Sequence, residues 1–306
     1  MDLRQLHYFV RIVEAGSVSR ASRSLHVAQP ALSKRLAQLE EELGVKLLAR
    51  SVRGMTPTEA GLAVFRHAQA ILKQVEATQA VAAQAEGGVS GPVAIGLPWT
   101  ITSVLGLALL QAVREQYPDV RLEIMEGPSS VLAQMLGQGK LDIAVVFADG
   151  GQAGLRLKPK VREPLKIVGA RGVLSGRRSL TLAAAAQLPL LLLSRPNGIR
   201  ETIERVWNEH GLVPNMVAEV NAPALLINAV QAGLGCAILP ACSLDERMRS
   251  GSIDTAALRD VKPTRTASIG TSMLFPVSAA TECVRALVEE LMERCVREGR
   301  WEAELL

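Results

Sequence analysis

Residues 29–44 read QPALSKRLAQLEEELG. Leu32, Leu36, Leu39 and Leu43 recur at steps of four, three and four, which predicts one apolar face of a helix. Pro30 falls where a first helical turn tolerates it, and Gly44 marks the end. The opposite face presents Pro30, Ser33, Lys34 and Gln38, with Gln29 and Arg35 at its margins. That face is polar, basic and short-chained near its N-terminus. A helix whose first turns approach base edges in a DNA major groove needs this character.

Upstream, Leu3, Leu6, Phe9, Val10 and Val13 predict a first helix stopped by Gly16. Ser17 or Ser19 can cap a second helix running through Ala21, Ser22 and Leu25, and a short turn, His26-Val27-Ala28, leads on. Downstream, Lys46–Thr56 reads as two short strands around a tip at Arg53-Gly54, a wing able to touch phosphates or the minor groove. Residues 1–58 hold nine basic and five acidic residues, and the other 248 hold 25 of each sign. The whole net charge of +4 therefore sits in this first module.

Thr56-Pro57-Thr58-Glu59 reads as a capping box with proline at the first helical position. The helix it opens continues to about Glu86, with Leu62, Phe65, Leu72, Val75 and Ala82 along one stripe. Nothing adjacent in the sequence covers that stripe, so pairing of two chains is expected. The cluster Gly87–Pro92 is a breaker. Beyond it, strand-like segments near 93–97, 120–126, 142–147, 164–170, 188–193, 215–220, 235–239 and 267–274 alternate with helical ones near 103–117, 129–138, 197–210 and 222–233. This predicts an α/β fold in two small lobes with largely parallel sheets. The organisation read from the chain is 1–58, 59–88 and 93–306. The first lobe takes about 93–163 and 267–306, the second about 164–266, and a last helix, roughly 278–298, packs back on the first lobe.

Composition narrows the function classes. Hydrophobic residues make up 48% of 306 but aromatics only 3%, so the core must be aliphatic. No apolar run reaches the roughly 20 residues of a membrane span, and MDLRQLHYF is not a secretory signal. Cys236, Cys242, Cys283 and Cys295 form no CxxC pair and read as free thiols of a reducing cytosol, with a Cys236–Cys242 redox pair as the sharper alternative. His7, His26, His67 and His210 are scattered, and GxSxG, HExxH, P-loop and GxGxxG patterns in the right setting are missing. No catalytic residue, metal or cofactor is expected. The residues alone read as a cytoplasmic DNA-binding protein rather than an enzyme, with a stand-alone solute-binding protein as the alternative.

The pattern over residues 3–61 closely resembles the winged helix-turn-helix of LysR-type transcriptional regulators. Its most specific parts are Ala15-Gly16-Ser17, Gln29–Ser33, Leu39–Gly44 and Thr56–Gly61. Gly91–Gly96, Tyr117-Pro118, Gly139–Val146 and Gly233–Pro240 resemble the family's effector domain, a two-lobed fold like that of periplasmic solute-binding proteins. Leu3–Phe9 and Ser194–Arg200 look like the nitrogen assimilation control regulators. The resemblance implies that Gln29, Pro30, Ser33 and Lys34 contact bases or adjacent phosphates and that Arg50 and Arg53 lie on the wing. Ser17, Ser19, Arg20 and Arg35 complete the candidate DNA contacts. It further implies a homodimer through Leu62, Phe65, Leu72 and Val75, commonly assembled into a tetramer, on double-stranded promoter DNA.

Ligands of such folds bind between lobes, at strand ends and helix N-termini. Thr100, Thr102 and Ser103 offer hydroxyls where the first strand meets its helix, a place that favours an anion. By resemblance, Thr100 and Thr102 lie in the family's main effector-contacting turn. Trp99 can stack on an aromatic ligand and Phe147 can wall the cleft. Pro196, Asn197 and Arg200 of a second strand-to-helix turn, Thr202, Asn221 and Thr271 complete the candidate set. The expected effector is a small anion, a carboxylate above all. Capping of helices by these same hydroxyl and amide side chains is the competing reading.

Overall fold

A computed structural model gives the fold. It describes the chain except residues 52–53, 85–87, 149–150 and 245–249 and the side chains of residues 50–51, 77 and 79–84. Two compact units emerge: residues 1–87 with 274–278, and residues 88–273 with 279–306. No helix of the described residues is long and apolar enough to cross a membrane.

The first unit contains α1 (Leu3–Ala15), α2 (Val18–Leu25), α3 (Gln29–Leu43), β1 (Leu48–Ser51), β2 (Gly54–Pro57) and α4 (Glu59–Gln84). Asp2 and Gln5 form a capping box at the start of α1, and Gly16 and Gly44 end α1 and α3 at φ 59° and 69°, the left-handed region glycine favours. Leu6, Phe9, Val10, Ile12, Leu32, Leu36, Leu39 and Leu47 are buried in one core. Leu43, expected on the same face, is exposed at the helix end.

Two sequence expectations fail at α4. The capping box at Thr56 does not form, because Thr56 and Pro57 belong to β2. Thr58 is the cap instead: its Oγ1 accepts from Gly61 N at 2.9 Å and donates to the Lys46 carbonyl at 2.7 Å. Nor is the whole apolar stripe left for a second chain. Ala68 is buried in the module's own core, Phe65 and Leu72 pack against it, and Phe65 meets Phe9 edge-on at 6.4 Å between ring centroids. Leu62 and Ile71 remain exposed and Val75 half-buried. Ala82 lies outside the described side chains.

The second unit has the two predicted lobes. Lobe I is a six-stranded sheet ordered β14-β6-β13-β5-β3-β4, built from β3 (Gly91–Leu97), β4 (Val120–Glu126), β5 (Ile143–Phe147), β6 (Leu155–Pro164), β13 (Thr264–Ser272) and β14 (Glu304–Leu305). The helices α5 (Trp99–Gln116) and α10 (Ala279–Arg297) share one aliphatic core with it, and α6 (Ser129–Gly137) packs with a separate smaller one. Lobe II holds β7 (Lys166–Ala170), β8 (Ser179–Leu180), α7 (Leu182–Ala186), β9 (Leu190–Leu193), α8 (Gly198–Glu209), β10 (Met216–Val220), α9 (Pro223–Gln231), β11 (Ala237–Leu239), a 3₁₀ turn (Ala241–Leu244) and β12 (Ile253–Leu258). A bridge between Leu190 and Cys236 joins the β9–β10 pair to the β11-β7-β12-β8 sheet.

The sheets are mixed, not largely parallel. β3 runs parallel to β4 and β5, but β13 is antiparallel to β5 and β6, and β7 is antiparallel to β11 and β12. The chain crosses between lobes twice in opposite directions, at Leu165 and Pro263, whose backbones bond at 2.9 Å. The strands feeding those crossings must therefore oppose each other. The sequence reading missed β6, β8, β12, β14 and α7. In β6 the alternating charges of Arg156, Lys158, Lys160 and Arg162, with Pro159 among them, hid a strand. The ladder absorbs the proline by a register shift opposite Ala267 and Ser268. All four cysteines are free thiols, so Cys236 and Cys242 are not paired.

Candidate nucleic-acid interface and effector cleft

The exposed face of α3 carries Gln29, Pro30, Ser33, Lys34 and Arg35 side by side. Ala28 precedes α3 and offers no side-chain cap, so the helix opens with N–H groups available to an anion. Ser17 caps α2 by accepting from Arg20 N at 3.4 Å, and Ser19 donates to Gln29 Oε1 at 3.1 Å. Ser19 thereby holds the Gln29 amide while Arg20 stays exposed. An open groove of about 630 Å³ runs between the start of α2, α3 and the β1–β2 hairpin, lined by Ser17, Ser19, Gln29, Ser33, Glu40, Lys46 and Gly54 among others. Lys46 and Glu40 are groove residues that sequence reasoning did not select. Glu40 lies inside Leu39–Gly44, a family marker that does not single it out. The Arg50 backbone lies on β1, whereas Arg53 lies outside the described residues.

In the second unit the structure separates the predicted effector residues. Trp99 and Thr100 begin α5. Thr100 is fully buried, and its Oγ1 accepts from Arg265 Nη2 at 2.8 Å. In this structure it is a member of a buried network, not an open ligand contact. The network centres on Glu163, which has no exposed surface. Arg265 donates to it through Nε at 2.6 Å, Trp301 through Nε1 at 2.6 Å and Cys242 through Sγ at 3.3 Å. The Arg265 guanidinium lies over the Phe147 ring, 3.4 Å from its centroid. Burial, then the charge of Glu163, pushes the Cys242 thiol well above the ordinary range, so it remains protonated.

The remaining candidates divide by what holds them. Thr102 Oγ1 donates to Pro98 O at 3.2 Å, Ser103 Oγ to Thr100 O at 2.8 Å and Thr202 Oγ1 to Gly198 O at 2.8 Å. Each hydroxyl proton is thus turned back on its own helix. Asn197 caps α8, its Oδ1 accepting from Ile199 N at 2.9 Å and Arg200 N at 3.4 Å. Arg200 is buried, and its charge is matched by Glu204 at 2.5 Å and Glu219 at 3.0 Å. Pro196 is exposed in the turn before α8, and Asn221 is exposed beyond β10. Thr271 is four residues beyond Ala267, which pairs with Phe147 at the end of β5. At about 3.4 Å per strand residue, Thr271 sits roughly 14 Å from that end of the sheet. It does not join the Thr100–Phe147 group. Helix capping thus accounts for Asn197. Asn197→Ala is expected to cost about 1 kcal/mol of lobe II stability, read by urea unfolding. An unchanged midpoint would contradict the cap.

Comparison with known proteins gives the class to which these two units belong. Residues 3–62 match the family described as "Bacterial regulatory helix-turn-helix protein, lysR family", and residues 86–295 match "LysR substrate binding domain". The chain belongs to the LysR family. It is a LysR-type DNA-binding transcriptional regulator with an effector-binding domain, not an enzyme. It is similar to the nitrogen assimilation regulatory protein nac of Escherichia coli K12, with 34% identity over 293 residues covering 95% of this chain and 94% of nac. That agrees with the subgroup resemblance read from Leu3–Phe9 and Ser194–Arg200. Among solved structures, the fold matches a full-length OxyR variant from Pseudomonas aeruginosa at TM-score 0.75 and 24% identity, covering 95% and 94% of the two chains. It also matches full-length CbnR complexed with target DNA at TM-score 0.62 and 23% identity, covering 96% and 99%.

Proposed function

We propose that the chain binds promoter DNA as a homodimer, further paired into a tetramer, in the cytoplasm. α3 enters the major groove and the β1–β2 hairpin lies on the flanking backbone. The observation that carries this reading is the exposed row Gln29, Ser33, Lys34 and Arg35 on α3, within the one part of the chain that holds the net positive charge. Gln29 and Ser33 can bond base edges, whereas Lys34, Arg35, Arg50 and Arg53 supply phosphate attraction. The CbnR relative complexed with its target DNA supports the use of this fold on DNA. Ile71 and Val75, four residues apart on α4, together with exposed Leu62, supply apolar surface for a second chain. A dimer would place two α3 helices on half-sites about one helical turn apart.

The effector reading is a small anion between the lobes. The first N–H groups of α5, which lie where β3 ends, support it. Trp99, which packs against the lobe II core from lobe I, would report closure. The test of the DNA assignment is a salt titration of binding to a duplex selected from random sequence. Lys34→Ala is expected to weaken binding about evenly across sequences and to lower the salt slope by about one. An unchanged slope would remove Lys34 from the phosphate contacts.

A further inference from the structure

We infer that Glu40 is a positioning residue that sets the wing hairpin against α3, so that the wing's contact with DNA depends on a carboxylate that itself need not touch DNA. This rests on the reading of α3 and the hairpin as the DNA-binding surface. Glu40 lies in the last third of α3 and is 8% exposed. Its Oε1 accepts from Leu47 N at 2.9 Å and from Leu48 N at 3.2 Å, and its Oε2 holds Lys46 Nζ at 2.6 Å. These donors are the three consecutive residues that lead into β1. Burial pushes the Glu40 carboxyl up, but the Lys46 ammonium and the two backbone N–H groups outweigh it, and the group ends below the ordinary carboxylate range. It is therefore charged at neutral pH, the form that accepts all three donors.

The hairpin cannot fix its own direction. Its strands are four residues each and, among the described residues, pair with no other strand, and an isolated two-stranded hairpin is marginal in water. Beside the burial of Leu48 and the packing of Met55 in the module's core, two of the braces outside it are hydrogen bonds. One is Glu40 on β1. The other is the Gly16 carbonyl on β2, which accepts from Met55 N at 3.0 Å and would lie 2.5 Å from a β-carbon at Gly54. The Gly16 brace ties the hairpin to the α1–α2 turn. The Glu40 brace ties it to α3. Cutting the Glu40 brace removes the polar tie between the hairpin and α3 and leaves only apolar packing to hold its direction there, while α3 keeps its own buried leucines.

The experiment uses the full chain and a duplex selected from random DNA by that chain, with footprints taken well below each variant's melting temperature. Wild type should protect guanine N7 positions within each half-site and the backbone flanking it. Glu40→Ala should keep the guanine protection, lose the flanking hydroxyl-radical protection and bind about tenfold more weakly, the scale of one lost charge-assisted bond to phosphate. Glu40→Gln keeps an oxygen for Leu47 and Leu48 and should restore the flanking protection. Lys46→Met, which leaves both backbone bonds in place, should also retain it. A Glu40→Ala protein that melts lower but still protects the flanks overturns the inference, because Glu40 would then be structural only. Equal loss of guanine and flanking protection overturns it too. Flanks that wild type itself leaves bare overturn the wing reading along with it.

Discussion

Gly61→Ala is expected to unfold the winged module at a temperature on the order of 15 °C below wild type, from a loss of about 3 kcal/mol. The sign is the informative part. A glycine inside a helix usually gives way to alanine with a gain of up to about 1 kcal/mol. Gly61 is the third residue of α4, and a β-carbon there would overlap the Leu47 carbonyl oxygen and stand 2.8 Å from its carbon. The obstacle is backbone, and that backbone is already committed. Leu47 O accepts from Thr58 N at 2.9 Å, and Leu47 N is held by Glu40. Neither side can yield without disturbing the hairpin. Far-UV circular dichroism should show the early transition. Tryptophan fluorescence should not, because Trp99, Trp207 and Trp301 all belong to the other unit. An alanine variant as stable as wild type would mean that α4 and β1 are not in this contact.

The complementary result concerns the buried pair. Arg265→Met is expected to cost the effector domain about 3–5 kcal/mol, because it leaves the Glu163 charge without its counter-ion in a place water does not reach. The indole N–H of Trp301 and the thiol of Cys242 would be its remaining donors. Adding Glu163→Leu to Arg265→Met should recover part of that loss, since an apolar pair of similar volume escapes the desolvation cost. Recovery stays partial because Trp301 Nε1 loses its acceptor. Urea unfolding followed by tryptophan fluorescence isolates this unit, and Trp301 sits on the group being changed. A single variant within about 1 kcal/mol of wild type would show that solvent reaches Glu163.

The two ends of the chain were legible in the sequence to different degrees, for physical reasons. Helices with one apolar face announce themselves, so α3 emerged between Gln29 and Gly44 and α5, α6, α8 and α9 near their observed places. Short buried strands such as β3 and β5 also stood out as aliphatic runs. The strand β6 did not, because its outward residues are basic and a proline interrupts its ladder. Parallel order was over-read, because alternation of strands and helices does not reveal that a chain returns through the same crossing. The capping threonine was placed two residues early, since Thr56 and Thr58 carry the same chemistry and only the extent of β2 distinguishes them.

The site followed the same division. The exposed row on α3 that we propose faces DNA is a surface property of one helix, and its exposure was readable from the helix's periodicity. The effector set depends on contacts over long separations. Arg265 reaches Thr100 across 165 residues and Glu163 across 102. No local pattern marks Arg265 as the residue that takes the Thr100 hydroxyl. The same blindness hid Glu40, whose neighbours Glu41 and Glu42 look identical in sequence but do not face β1.

The Arg265 guanidinium, bonded to Thr100 and resting over Phe147, already occupies the place proposed for the effector. Any metabolite that needs the Thr100 hydroxyl must wait for the molecules in which Arg265 has swung aside, and its apparent dissociation constant is raised by the inverse of that fraction. Binding would keep its ordinary hyperbolic shape and shift as a whole to higher ligand concentration. If the proposed effector uses that hydroxyl, the strength of one internal contact would set the concentration at which it binds.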